Sequence, residues 1–573
     1  MLLKALGLLV LSYLGWSLVS MEKNYRRASA MNIPLVRIYI DPMNPLWVVL
    51  EPIVWSWLDR LPINWRNYTF GRYSRRGWYF ADRGESHRRY GPIWAIVTPR
   101  DVYVQVADSK AIHEIFQRRT DFIRPSHLYK VLEVYGPCIS TASWIDWPRH
   151  RKVLATPFNE GIMSFVWNES VEQTRQMIKA WDSATEGRIA SVAKDTRTLS
   201  LNVLAATGFR KSFSFQSANG HTVGRGPQST PSKEKGPAGS AGYRDALQTV
   251  LDNCILLMVL PRKWLRLPIA PRSWHQIAEA ANDFQQYMVR MLDEETKALN
   301  TGQAGSGGLM TSFVRAMDLK QKTDADGDTG ASGASPPKGL TVDEIFGNIF
   351  VINFAGHDTT ANTFAFGLLL LAAYPEVQEW VAEELRGLTE EEIKNHYNDL
   401  FPRLSRCRSV MLETLRLFPP IQSLPKWTSS EPQSLQVGER TLVIPGDVGI
   451  NPSVLTMHID PQYWSDPMTW KPSRWVTAEG ASEQIIIPER SSYLPWSDGP
   501  QNCPGNKFSQ VEFVAVMATL LRTHRVHAVA DPGETFQETQ ARVLATTQDV
   551  DMQLLLRMKD ADRVRMRVSR VVV

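Results

Sequence analysis

The 573-residue chain holds only four cysteines, Cys138, Cys254, Cys407 and Cys503, and no CxxC pair. A disulfide scaffold would need more, so the cysteine count points to a reducing compartment. Charge of one sign is also missing. Lys and Arg number 64 against 59 Asp and Glu, a net charge of +5, which excludes nucleic-acid binding driven by bulk charge. Gly and Pro, at 35 each, stay near average usage, so the chain is not collagen-like. It contains no internal repeat, dinucleotide fingerprint or flavin domain. At 43% hydrophobic and 10% aromatic residues, a large core can be buried. Length alone suggests three or four domains at about 150 residues each.

Long apolar runs are scarce. Residues 5–19 are uncharged and apolar, between Lys4 and the cations Lys23, Arg26 and Arg27. Extended to Met21, the run just reaches the roughly 17 residues a spanning helix requires. Ala28-Ser29-Ala30 resembles a cleavage site, but the cations stand where a signal peptide should be neutral. The segment 1–30 therefore reads as an uncleaved signal anchor, with the catalytic body on the cytosolic side of the endoplasmic reticulum. A membrane-proximal segment, 31–84, follows. Within it, 46–58 is apolar but broken by Glu51-Pro52 and flanked by Trp. An interfacial or re-entrant segment and an ordinary buried helix fit it equally well. The sequons at Asn67 and Asn168 are chance occurrences on a cytosolic body.

Beyond residue 85, residues 93–106 read as two strands around Thr98-Pro99-Arg100, and Asp108 caps a helix through Phe116. Most of the chain after Trp147 is helical. Two stretches, 216–242 and 321–339, are too rich in Gly, Ser, Thr and Pro to pack and read as flexible insertions. Residues 340–386 form a long apolar helical stretch divided at Pro375, and 391–418 carries helices interrupted near Pro402. Strands are expected at 434–437, 441–444, 542–545 and 550–556.

Cys503 lies in Trp496-Ser-Asp-Gly499-Pro-Gln501-Asn-Cys503-Pro-Gly505, just ahead of an apolar helical run. A thiolate at a helix N-terminus is stabilised by backbone N–H groups. Gly499 and Gly505 permit turns and the close approach of something flat. Nucleophile, metal ligand and inert thiol are all open to a lone cysteine; haem is the ligand that needs one cysteinate and a glycine-lined cradle. Glu413 and Arg416, three apart in an apolar helix, are placed to pair in the interior, with Arg474 as a further partner. Ala355-Gly356-His357-Asp358-Thr359-Thr360 interrupts another apolar helix with polar groups. A kink accounts for it, and so does a proton-delivery chain. Trp147-Pro148-Arg149-His150-Arg151 adds a further motif.

Together and in this order, these motifs resemble the cytochrome P-450 superfamily of haem-thiolate monooxygenases, over roughly residues 85 to 560, and in particular its microsomal fungal members. The resemblance implies a mainly α fold with small β-sheets: one large haem-binding helical domain over 85–560 and a tail at 561–573. It makes Cys503 the axial ligand to the iron of haem b. Asp358 and Thr359 become the catalytic proton relay to bound dioxygen. Glu413, Arg416 and Arg474 become a structural triad. Trp147, Arg151 and Lys426 are assigned to the propionates, and Gly356, Trp496, Gly499, Gln501 and Gly505 to the cofactor cradle.

Three departures from the family pattern bear on that cradle. Trp496 stands where Phe is usual, and its N–H is free to add a hydrogen bond. Gln501 replaces a basic residue and brings no charge. Lys426 replaces a common Arg and loses its bidentate fork. His357 reads as a packing residue, and His458 occupies a place of structural importance in the family.

The resemblance also implies a predominantly apolar pocket lined from 128–143, 250–260, Phe346, Phe350, Phe354, 421–424 and 546–548. This suits a hydrophobic small molecule arriving from the membrane, as in secondary-metabolite biosynthesis. Electrons from NADPH would come through a separate reductase, docked by Arg149, Lys152, Arg408 and Lys507. Three alternatives stand beside hydroxylation or epoxidation: an isomerase, dehydratase or oxidative coupling enzyme of the same family, a non-catalytic haem-binding sensor, and a tethered structural protein with an inert Cys503.

Overall fold

The computed structural model describes residues 2–155, 159–218, 242–303, 305, 307–317, 339–479, 482–552 and 554–571. The expected insertions at 216–242 and 321–339 fall almost wholly outside these residues. The architecture is mainly helical with small sheets, as expected.

Among the helices are α1 (Leu2–Ser29), α2 (Pro45–Leu58), α3 (Trp147–Ala155), α4 (Glu160–Asp182), α5 (Val192–Phe209), α6 (Tyr243–Asp252), α7 (Val342–Ala373), α8 (Ser405–Leu417) and α9 (Asn506–Thr523). Helix α7 starts in a capping box: the Thr341 side chain accepts from Glu344 N and the Glu344 side chain accepts from Thr341 N. It ends at Ala373, two residues before Pro375, which opens the next helix. Its residues are buried nearly all round, as befits a helix at the centre of a large domain. Helices α5 and α9 pack against it, and α4 packs against both of those.

A six-stranded sheet forms the other wall. Its strands are β1 (Leu35–Arg37), β2 (Ile93–Val97), β3 (Val102–Val106), β4 (Phe122–Ile123), β5 (Lys426–Thr428) and β6 (Gly449–Pro452), in spatial order β1-β2-β3-β6-β5-β4. The β2–β3 hairpin turns at Thr98–Asp101. The Asp108 side chain caps the following helix, Ser109–Gln117, by accepting from Ala111 N at 2.8 Å.

Two expectations are corrected. Residues 542–545 are helical, inside Phe536–Gln548, because Thr535 and Glu538 form a capping box that starts a helix there. The supposed tail contains a strand, Met566–Arg570, paired antiparallel with His524–Ala528. Segment 31–84 is joined to the body, since β1 pairs parallel with β2.

The expected membrane anchor coincides with α1. The side chains of residues 2–7, 9 and 10 lie outside the described residues. Among the described residues no helix is long and apolar enough to cross a membrane.

Candidate functional site

Cys503 sits two residues before Gly505, the N-cap of α9, and its N–H donates to Trp496 O at 2.9 Å. The side chain is exposed, unlike those of Cys138, Cys254 and Cys407. It opens into a recess walled by protein. That walling pushes its thiol pKa up, while the Gly505 N–H and the Arg151 guanidinium pull the other way. Gly499 has φ +68°, and a Cβ there would come within 2.7 Å of Phe116 O, so only glycine fits this turn.

Beneath this loop the predicted triad is fully assembled. Glu413 accepts from Arg416 Nε at 2.8 Å and Nη2 at 2.9 Å, from Arg474 Nε at 3.0 Å, and from Trp475 Nε1 at 2.8 Å. Lys471 N adds a fourth donor residue at 2.8 Å. Glu413 and Arg416 are completely buried. Arg416 spends its remaining N–H groups on the carbonyls of His458, Pro467 and Thr469. His458 in turn accepts from Leu494 N at 2.8 Å through Nε2, tying the triad to the chain just ahead of the cysteine loop. Burial pushes the His458 pKa down to about 3, with Arg416 adding repulsion. The ring is therefore neutral and serves as a structural acceptor, as expected.

Above the loop lies a second charge cluster of opposite character. Arg151 donates to Asn502 O at 3.0 Å and Oδ1 at 2.8 Å. Lys426 Nζ donates to Gln501 Oε1 at 3.0 Å. Arg124, which sequence reasoning missed, donates to Ile139 O at 2.9 Å. None of the three has a carboxylate partner among the described residues. Burial pushes the Lys426 amine down to about 7, and Arg124 repels it further. The Arg124 pKa is also lowered, by burial first and by Arg151 among the smaller causes. Trp147, stacked on Trp144 at 5.5 Å, is buried beside Arg151 on α3.

The distal wall is α7. Apart from Asp343 at its start, Ala355 is the one exposed position on it among the described residues, with Ile352 and Thr359 partly uncovered on the same face. Asn348, one turn or more before this strip, donates to His150 of α3 at 2.9 Å, and α3 also holds Asn502. Phe364, beyond the strip, stacks on Phe513 of α9 at 4.8 Å. On either side of the strip α7 is thus tied to the two elements that flank the cysteine loop, α3 and α9. Thr359 Oγ1 donates to Ala355 O at 2.7 Å, the back-bond that polar residues in an apolar helix make.

Asp358 points elsewhere. Its Oδ1 lies 3.1 Å from Arg197 Nε of α5, beside a cavity of about 50 Å³ that Asp252 and Arg557 also line. Arg197 is the second residue that sequence reasoning missed. His357 is buried, with Nδ1 at 2.9 Å from Asn353 O, and is a packing residue as expected.

Gly356 lies close against α5: a Cβ there would meet Leu204 at 3.1 Å. The Trp496 N–H is spent on Ser509 Oγ at 3.1 Å. Of the four expected docking cations, Arg149 is turned inward onto Glu344 and Gly339 O, and Arg408 onto Gln510. Lys152 is exposed, and Lys507, also exposed, is paired with Glu160. Of the residues expected to line the pocket, Tyr135, Val250, Leu257, Phe346, Phe350 and Phe354 share one buried cluster, whereas Leu424 packs against another and 546–548 belong to neither.

The residues present fit a flat dicarboxylate macrocycle carrying a metal. Among the described residues no three His, Cys, Asp or Glu side chains converge as a metal site, so a metal at Cys503 would take its remaining ligands from a cofactor. The three uncompensated cations supply what two propionates require.

The comparisons agree. The sequence model described as cytochrome P450 matches residues 61–554. A cytochrome P450 monooxygenase of Arthrobotrys oligospora is 27% identical, covering 96% of this chain and 95% of its own length. One of Postia placenta is 29% identical over 78% of this chain and 80% of its own. The phomenoic acid biosynthesis cluster cytochrome P450 monooxygenase of Leptosphaeria maculans is 24% identical, with 95% of each chain covered.

Proposed function

Since the chain belongs to the cytochrome P450 family, whose members are oxidoreductases that carry haem, we propose that it hydroxylates or epoxidises a hydrophobic small molecule of fungal secondary metabolism. The observation that carries this reading is the open Cys503 thiol beneath three cations that lack carboxylate partners. When bound through Cys503, haem supplies the reductive activation of dioxygen, with the cysteinate donating charge to the metal.

The protein's own residues do the rest. Arg151, Lys426 and Arg124 neutralise and orient the propionates, with Trp147 packed alongside. The triad of Glu413, Arg416 and Arg474 fixes the floor, and His458 transmits that fixation to the cysteine loop. Thr359 presents a hydroxyl at the uncovered face of α7, where it can hand on a proton. Asp358 stands on the neighbouring face, where a proton can arrive from the side of Arg197. The phenylalanines of α7 and the cluster around Tyr135 exclude water and accept an apolar substrate.

Substrate class follows from this apolar lining together with the Leptosphaeria relative, whose name ties it to phomenoic acid biosynthesis. A separate NADPH-dependent reductase is the electron source in this reading. The exposed apolar side chains of α1 between Leu8 and Val19 suit an anchor in the endoplasmic reticulum membrane, with the body in the cytosol.

The test has two stages. Reduced, carbon monoxide-treated protein is expected to give a thiolate-type Soret band, and Cys503→Ser is expected to lose it. With reductase, NADPH and isotopically labelled dioxygen, label is expected in the product found by comparing metabolites of a deletion strain and its parent. A product without label would replace oxygen insertion by isomerisation, dehydration or coupling. A haem protein that forms no product would be a sensor.

A further inference from the structure

Residues 135–141, between β4 and α3, are held against α7 backbone to backbone. Gly136 has φ +139°, and a Cβ on it would collide with Asp343 O of α7. A Cβ on Gly347, one turn further along α7, would collide with Gly136 O and Pro137 O. Only glycine at both positions lets the two chains come this close. Ahead of this contact, Tyr135 is buried and its hydroxyl donates to Ala281 O of the helix Arg272–Asn300 at 2.9 Å. Beyond it, Cys138 N donates to Thr141 Oγ1 at 3.0 Å and closes the segment's own turn.

One side chain bolts this segment to the site. Asn348 of α7 is fully buried. Its Oδ1 accepts from Ile139 N at 2.9 Å. Its Nδ2 donates to Glu344 O at 2.7 Å and to His150 Nδ1 of α3 at 2.9 Å. The carbonyl oxygen and both hydrogens of one amide are thus used, and they join α7, α3 and the segment 135–141. The Ile139 N–H fixes which way the amide faces, because only its oxygen can accept. Asn353, five residues on and equally buried, is different. It bonds back to Ile349 O, and its Oδ1 has no partner among the described residues. A buried amide is costly unless its bonds are made; at 348 they are made between elements.

Ile139 is also held from its other side, where Arg124 Nη1 donates to Ile139 O at 2.9 Å. Both backbone polar groups of this residue are therefore fixed. Its side chain is half-buried and packs against the apolar cluster that holds Phe346, Phe350 and Phe354.

We propose that Asn348 is a positioning residue for substrate selection. It sets Ile139 at the edge of the apolar cluster, so that residues 135–141 form a fixed wall and not a lid. This rests on the functional reading above, in which that cluster accepts an apolar substrate.

The test uses the full haem-loaded chain and needs no natural substrate. Imidazole and 4-phenylimidazole, metal ligands that differ by one phenyl ring, are titrated by the shift of the Soret band. Amide hydrogen exchange is followed in overlapping peptides across residues 136–142. In the unmutated chain the Ile139 amide is expected to exchange slowly; exchange as fast as that of an exposed loop overturns the proposal without any variant. Asn348→Leu, similar in size but unable to bond, is expected to speed that exchange roughly tenfold, the worth of one hydrogen bond. It is expected to raise the affinity for 4-phenylimidazole, relative to imidazole, by about the same factor. Asn348→Asp keeps an oxygen facing Ile139 and is expected to restore both readouts. His150→Phe cuts only the link to α3 and is expected to change neither. The proposal is overturned if Asn348→Leu leaves the ratio of the two affinities unchanged, or if His150→Phe shifts it equally. A missing thiolate-type Soret band or missing product would overturn the functional reading instead, and the exchange result stands apart from both.

Discussion

Two charge clusters lie within one site, and they are built on opposite principles. Around Glu413 every charge is answered: two guanidiniums, an indole N–H and a backbone N–H meet one carboxylate, and the guanidinium surplus ends on carbonyls. Around Arg124, Arg151 and Lys426 three cations meet amides, carbonyls and the faces of Tyr129 and Phe116, with no carboxylate among the described residues. Burying an unpaired cation such as Lys426 is costly, so such a cluster suits a place where something anionic is to be held. In the proposed reading the closed cluster maintains the floor of the site and the open one reserves a place for a ligand. The presence or absence of a carboxylate distinguishes them.

The sharpest way to break this contrast is to delete from each side. Glu413→Ala is expected to destabilise the protein by about 3–5 kcal/mol, leaving two uncompensated guanidiniums. Denaturant unfolding, or the failure of folded protein to accumulate, checks it. Lys426→Met should leave the stability of the haem-free protein unchanged or slightly higher. It should weaken haem retention by about 1.5–3 kcal/mol, roughly tenfold to a hundredfold, measured by haemin titration. If this variant unfolds the empty protein as Glu413→Ala does, the two clusters are not different in kind.

A smaller effect concerns pH. In the empty protein the Lys426 amine is held down to about 7 from an ordinary 10.5, by burial first and Arg124 second. Its charged form is therefore disfavoured until a carboxylate arrives, and binding above pH 7 takes up a proton. Haemin affinity should fall as pH rises from 7 towards 10, by at most about tenfold per unit. Lys426→Arg, which stays charged throughout, should flatten that slope. An unchanged slope would remove Lys426 from the cluster's role. The smallest effect is expected for Trp496→Phe. Because its N–H bonds Ser509 and not the sulfur, the carbon monoxide Soret position should not move, and stability should drop by only about 0.5–1.5 kcal/mol.

Much of this was legible in the sequence where the signal is local. The i,i+3 spacing of Glu413 and Arg416 in an apolar helix, the Asp108 cap and the break at Pro375 all appear in the fold as expected. The Thr535-x-x-Glu538 box was equally local, and it starts a helix over 542–545 where a strand was expected. Arg124 and Arg197 were illegible for a different reason. Each is one arginine among many, marked only by what the folded chain brings near it: Lys426 and Arg151 in one case, Asp358 in the other. The direction of the Trp496 N–H depended on Ser509, one turn into the next helix.

The single uncovered methyl of Ala355 bears on selectivity in the proposed reading. Every other position along the middle of α7 is buried or only partly uncovered. A few added methylenes at this position would then narrow the space beneath the helix, and residue 355 would act as a clearance gauge for the thickness of a substrate.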